Sequence, residues 1–119
     1  MVEIELSSES ARFEPGDQID GQVRWDAPSP PEKLEIRLFW YTRGKGTQDA
    51  EVVERLDLRA ATAQGRRPFR FRLPNQPYSF SGQFVSLVWA LELVMEPPGE
   101  TARVEFTMSP TGEEIKIAP

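Results

Sequence analysis

Carboxylates are the most plentiful side chains in this sequence that could do chemistry. The 119 residues include 19 Asp and Glu, among them Asp17, Asp20, Asp26 and Glu35. A glycosidase needs two carboxyl groups held about 5 or 9 Å apart. No such pair is indicated by the spacing here, because most of these residues fall on turns or on outward-facing strand positions. We therefore expect no catalytic pair of carboxylates.

Histidine and cysteine are both absent from the chain. Their absence removes the commonest general base, the commonest metal ligand and the thiolate nucleophile. A Ser-His-Asp or Cys-His arrangement cannot be built without them. The sequence thus predicts a protein that is not an enzyme and that holds no metal and no cofactor.

One basic segment, RGKGT at 43–47, has the glycine and lysine content of a phosphate-binding loop. The true motif has a longer glycine loop after a strand and a helix after the lysine. Because both are missing, we interpret 43–47 as a hairpin loop.

A second basic segment, RRPFRFR at 66–72, interleaves arginine with aromatic residues, as nucleic-acid binders do. Strand alternation sends Phe69 and Phe71 to the interior and leaves Arg70 and Arg72 outside. We interpret the arginines as a solvated strand face paired with glutamates, the alternative being contact with an acidic patch on a partner protein. The net charge of −5 argues against nucleic acid as the partner.

The elements that carry these residues are predicted to be strands. The 11 Pro and 8 Gly make the chain rich in turns, and its length suits one domain, 1–119. Period-two alternation predicts strands at 2–6, 18–25, 33–43, 50–61, 68–74, 83–95 and 101–108, and 110–119 is a final short strand or tail. The segment 50–61 also fits a helical stripe, and a helix is the rival interpretation of 83–95.

These strands predict an all-β, two-sheet antiparallel sandwich of roughly seven to eight strands, immunoglobulin-like in architecture. Its interior is expected to contain Trp25, Trp40 and Trp89. Gly21, inside a strand, marks a bulge or a close approach of another backbone. No apolar run is long enough for a membrane-spanning helix and the first residues lack the pattern of a signal peptide, so we expect a cytoplasmic protein.

Two stretches, in order, resemble the arrestin-like family. RFEPGDQIDGQVRW at 12–25 is similar to the Pro-Gly-acidic turn and glycine-containing strand near the start of arrestin-type domains. The later stretch at 69–96 is similar to the family's strand, Leu-Pro, loop and long strand, with Leu73, Pro74, Ser79 and Gly82 at the matching positions.

The resemblance implies a single arrestin-like sandwich, related to retromer cargo subunits and bacterial sporulation-control proteins. It also implies a function in binding other proteins rather than in catalysis. The basic pair that senses phosphate in visual arrestins has no match, because 2–6 reads VEIEL, which is acidic.

A second apolar face is the feature that favours a binding function. Phe39, Tyr41, Val88 and Val94 alternate with core positions on two long strands and should lie on the outer side of a sheet. Because such a face is costly to expose, we expect it to be covered. The candidates are the chain's own tail, segment 51–61, a second copy or another domain.

The predicted function is therefore that of a non-enzymatic, protein-binding adaptor or scaffold, either with protein partners or as a homo-oligomer. The candidate partner surface is formed by Phe39, Tyr41, Val88, Val94, Arg70 and Arg72. The alternative is a carbohydrate- or small-ligand-binding sandwich. That alternative would need exposed aromatic rings, whereas the three Trp fall at predicted core positions.

Overall fold

The computed structural model describes residues 1–46, 48–60, 62–97 and 99–117, and in these residues it contains strands and no helix. The strands, in chain order, are β1 (Val2–Leu6), β2 (Arg12–Phe13), β3 (Gln18–Asp26), β4 (Lys33–Gly44), β5 (Ala50–Asp57), β6 (Gln64–Arg72), β7 (Phe80–Ser81), β8 (Val85–Glu96), β9 (Glu100–Met108) and β10 (Ile115–Lys116). The predicted all-β class is confirmed, and the helical interpretations of 50–61 and 83–95 are wrong.

The strands form two sheets. The smaller sheet has the order β1-β3-β6, and every pairing in it is antiparallel. The larger sheet has the order β10-β7-β8-β4-β5, with β9 also paired to β8 and β2 paired to β9. Two short pairings, β2 with β9 and β10 with β7, are parallel.

Seven strands of five residues or more correspond to the seven predicted segments. The extra strands within the described ranges are two-residue pairings, of which only β10 was predicted. A pairing this short has no alternation to detect. Strand β6 begins at Gln64 rather than at Pro68, because Pro68 lies on a sheet edge where its missing N–H breaks no ladder bond.

The core lies between the inner faces of the two sheets. Trp89 and Trp25 are buried, and each indole N–H donates to a backbone carbonyl, that of Pro77 at 2.8 Å and that of Thr62 at 3.1 Å. Trp40 is only half-buried and packs against the side of this core. The prediction that Trp40 lies in the interior is therefore corrected. Its side chain faces inward but lies on β4 opposite Glu51 of the edge strand β5.

Two local predictions about the early strands are confirmed. Glu14–Asp17 closes as a turn, with the Asp17 N–H donating to the Glu14 carbonyl at 3.1 Å and Gly16 at φ +83°. Gly21 marks a close approach, because a Cβ there would lie 2.0 Å from the carbonyl oxygen of Glu5 on β1. Strand β5 has a register shift opposite Leu38 and Phe39 of β4.

Candidate functional site

The predicted apolar strip runs across the outer face of the larger sheet. In the antiparallel β4–β8 ladder, Phe39 lies opposite Ala90 and Tyr41 lies opposite Val88. Because Leu38 and Leu91 belong to the core, these alternate residues point away from it. The structure therefore brings Phe39, Tyr41 and Val88 together, with Val94 further along the same face.

Most of this strip is already covered. Phe39 is 8% exposed and Val94 is 4% exposed, while Tyr41 and Val88 are half-buried. The tail does not cover it, because β10 extends the sheet edge beside β7. Segment 51–61 does not cover it either, because β5 lies beside β4 within the same sheet.

The cover is made by charged side chains of the chain itself. The Arg103 guanidinium lies 5.0 Å from the centroid of the Phe39 ring and 5.3 Å from that of the Tyr41 ring, within range of cation–π attraction. The same guanidinium is held by Glu92 at 3.0 Å. Sequence reasoning missed this cover; the outward alternation of Arg103 and Glu105 on β9 is only a partial signal, because the contact depends on the pairing of β9 with β8.

A second arginine completes the charged cover. Arg43 donates to the Tyr41 hydroxyl at 2.6 Å and to Glu105 at 3.0 Å, and the Tyr41 hydroxyl donates to Glu105. The hydrogen bond with Tyr41, together with the negative charge of Glu105, raises the pKa of Arg43. Arg43 therefore remains a fixed cation beside the apolar strip.

Arg70 and Arg72 lie elsewhere, on β6 in the smaller sheet. Both side chains are exposed, and they alternate with the core residues Phe69 and Phe71. The structure thus does not bring these arginines together with Phe39 and Tyr41, because the two groups lie on different sheets. No described carboxylate forms an ion pair with Arg70 or Arg72, so the expected pairing with glutamate is not found there.

An uncovered apolar cluster lies at one end of the larger sheet. Phe84 is 62% exposed, Ile117 is 52% exposed, and Val85 and Ile115 are exposed as well. Gly82 and Phe84 belong to the tight β7–β8 turn, in which the Gly82 N–H donates to the Val85 carbonyl at 2.9 Å. A Cβ on Gly82 would lie 3.9 Å from the Cβ of Ile117, so the tail and the turn are in contact.

We name these residues, Phe84, Val85, Ile115 and Ile117, the apolar end. Phe84 belongs to the turn that precedes β8, and Val85 is the first residue of that strand. A hairpin turn leaves its side chains without a facing sheet, which explains their exposure.

Three of the four carboxylates singled out from the sequence make hydrogen bonds or ion pairs within the fold. The Asp17 side chain accepts the Glu14 N–H at 2.8 Å, and Glu35 pairs with Arg37 at 2.6 Å. Asp26 accepts a hydrogen bond from Gln64 at 3.1 Å. Within the described part of the chain, no group of three or more acidic residues is arranged to hold a metal ion.

The two sheets and their strand order define an arrestin-like fold, as the resemblance predicted. Among solved structures, the chain is similar to Spo0M, a sporulation control protein from Bacillus subtilis. The TM-score is 0.65 at 16% sequence identity, over 91% of this chain and 48% of that one. The chain thus spans about half the length of Spo0M.

A second similar structure is a mutant beta-glucosidase from Listeria innocua in complex with laminaribiose. The TM-score is 0.51 at 13% identity, over 97% of this chain and 16% of that one. At these identities the similarity is one of fold. No protein-family model matches the chain, and no curated protein matches it. Across the described residues, no helix is long and apolar enough to cross a membrane.

Proposed function

We propose that this protein is a non-enzymatic module that binds another protein, as an adaptor or scaffold does. The observation that carries the proposal is the apolar end, where Phe84, Val85, Ile115 and Ile117 are all exposed at one end of the larger sheet. Apolar side chains exposed in one region are typical of a protein–protein contact. Each large side chain buried there would add about 1.5–3 kcal/mol to binding.

The outer strip supports the proposal in a different way. Tyr41 and Val88 are half-buried, and a long charged side chain lies over the Tyr41 ring. A partner could therefore contact this ring and the arginine together. Tyrosine and arginine are both enriched in protein interfaces. The similarity in fold to a sporulation control protein agrees with a regulatory rather than a catalytic role.

The carbohydrate-binding alternative has less support. A sugar-binding face needs exposed aromatic rings; Trp25 and Trp89 are buried, and the exposed rings among the described residues are those of Tyr78 and Phe84 in the loops. We expect no heat on titration of the protein with laminaribiose in a calorimeter. Saturable heat in that titration would favour the alternative.

The proposal is tested by removing the apolar end. The protein is used to capture partners by cross-linking, the captured protein is then purified, and its affinity is measured by calorimetry. The double variant Phe84→Ser/Ile117→Ser should weaken that affinity more than tenfold, because two exposed apolar contacts are lost.

The matched control is Val53→Ser, which removes an apolar side chain that is 40% exposed at the irregular part of β5. This variant should bind the partner as the wild type does. If both variants bind equally well, the apolar end is not the contact surface. Light scattering shows whether the bound partner is a second copy of the chain.

A further inference from the structure

We infer that the free edge of β6 accepts an extended acidic segment of a partner protein as an added strand. This surface lies apart from the apolar end and belongs to the smaller sheet. Strand β6 is the last strand in the order β1-β3-β6, so one side of it has no neighbouring strand in the described chain.

Backbone hydrogen bonds show which residues face that free side. The Leu73 N–H donates to the Asp17 carbonyl at 2.8 Å, and the Ala63 carbonyl accepts from the Ala27 N–H at 2.8 Å. Odd-numbered residues of this strand therefore direct their backbone groups toward β3. Because these directions alternate along a strand, the N–H and C=O groups of Arg70 and Arg72 point to the free side.

The side chains at these positions supply the charge. Arg66, Arg70 and Arg72 alternate with the buried Phe69 and Phe71 and lie on the outer face. Across the ranges that the structure describes, none of the three forms an ion pair with a carboxylate, although Asp20 of β3 lies directly opposite Arg70. The Arg72 guanidinium donates only to the Gly16 carbonyl, at 3.1 Å.

A strand added beside β6 would place its residues directly opposite Arg70 and Arg72, two positions apart. Directly opposed residues of adjacent strands have Cβ atoms about 5 Å apart, and opposite charges there attract. The best-fitting segment therefore has Glu or Asp at every second position. The same sheet already contains this arrangement, because Glu3 of β1 lies opposite Arg24 of β3 and pairs with it at 2.8 Å.

A groove of about 420 Å³ crosses β3 and β6 and reaches Leu56 of the larger sheet. It is lined by Ser7, Asp20, Gly21 and Gln22 on one side and by Pro68, Phe69 and Arg70 of β6 on the other. Residues between the acidic positions of the added strand would face Phe69 and Leu56, so uncharged side chains fit there. Pro68 has no N–H, so it limits the ladder to the part of the edge that follows it.

The test uses a nine-residue peptide in which glutamate alternates with threonine, titrated into the 15N-labelled protein. We expect saturable binding, a slower amide exchange at Arg70 and Arg72, and an affinity that falls as salt rises. A peptide with glutamine in place of every glutamate should bind at least tenfold more weakly to the same wild-type protein. This comparison does not depend on any variant folding.

The variant Arg70→Gln/Arg72→Gln should also weaken binding at least tenfold. The control Arg55→Gln, which removes an exposed arginine on β5, should leave it unchanged. Equal affinity for the two peptides, protection at other amides, no binding at millimolar peptide, or tighter binding of single-stranded RNA to the same face would each overturn the inference. Because Phe84→Ser/Ile117→Ser leaves this edge intact, failure here is separable from failure of the proposed function.

Discussion

At the scale of single residues, an arginine covers the outer apolar strip, where a chain segment, a second copy or another domain was expected to cover it. The alternation of 33–43 and 83–95 was sufficient to predict that Phe39 and Tyr41 turn away from the core. It could not show that Arg103 would lie over both rings, because that contact depends on β9 pairing with β8. Long charged side chains cover apolar surface with their stems and keep their heads in water, so hydropathy alone does not reveal this.

Removing that cover should destabilise the protein modestly. Arg103→Gln loses the attraction to two rings and the ion pair with Glu92, each worth about 0.5–1 kcal/mol at exposed sites. We expect urea denaturation to show a loss of about 1–2 kcal/mol. Arg12→Gln is the control, because its guanidinium lies 3.9 Å from Glu113 and both side chains are largely exposed. Equal losses in the two variants would contradict a covering role for Arg103.

Gly21 gives a sharper prediction. A Cβ at this position would meet the Glu5 carbonyl oxygen at 2.0 Å and the Phe69 ring at 2.9 Å. Gly21→Ala should therefore force β1 away from β3 and lower the free energy of unfolding by about 2–3 kcal/mol. The comparison is Gly99→Ala, since a Cβ there would meet no described atom within 4 Å. A thermal melt that ranks the two variants alike would disprove the close approach.

At the scale of elements, alternation was enough to locate the seven long strands but not their ends. The predicted strand began at Pro68. The structure begins β6 at Gln64, since the missing N–H of Pro68 would face the open edge of the sheet. The two-residue strands β2 and β7 escaped prediction because they are defined by their partners and not by their own sequence. The apolar end was not predicted for the same reason: it exists only because the tail meets the β7–β8 turn, and the sequence of either segment alone does not show that contact.

One buried serine joins three of these elements. Ser79, 2% exposed, precedes β7; its hydroxyl accepts the Met108 N–H of β9 at 3.0 Å, and its own N–H donates to the Met108 carbonyl at 2.8 Å. The Ile115 N–H of β10 donates to the Ser79 carbonyl at 3.3 Å. The loop residue that the family resemblance singled out is therefore a point of attachment for the sheet end.

Ser79→Ala should leave the Met108 N–H buried without a partner and cost about 1–3 kcal/mol of stability. Chemical denaturation followed by circular dichroism measures this loss. Ser86→Ala serves as the control, because the Ser86 hydroxyl makes no hydrogen bond to any described residue and is half-buried. An unchanged stability in Ser79→Ala would mean that the hydroxyl contributes nothing to the attachment.

At the scale of the whole molecule, the three indoles report how completely the two sheets enclose the core. Trp25 and Trp89 are sealed between them, whereas Trp40 lies at the margin. Sequence patterns assign a residue to a face of a sheet, and all three assignments of face agree with the structure. They do not show how far the opposing sheet extends, which is why Trp40 was predicted to be more buried than it is.

This difference can be measured by fluorescence. Acrylamide should quench mainly Trp40, so Trp40→Phe should remove most of the quenchable emission and leave a blue-shifted spectrum from the two enclosed indoles. Trp89→Phe should remove mainly emission that acrylamide cannot reach. If the Trp40→Phe protein is quenched as strongly as the wild type, the core is more open than the structure indicates.

The distribution of charge on the smaller sheet has a consequence for how the molecule meets other molecules. Glutamates occupy β1 at one border of that sheet and arginines occupy β6 at the other. Such a separation gives the protein an electric dipole across the sheet, although its net charge is −5. In the field of an acidic surface the molecule would rotate its arginine border forward before contact, so productive collisions can outnumber those expected from overall repulsion.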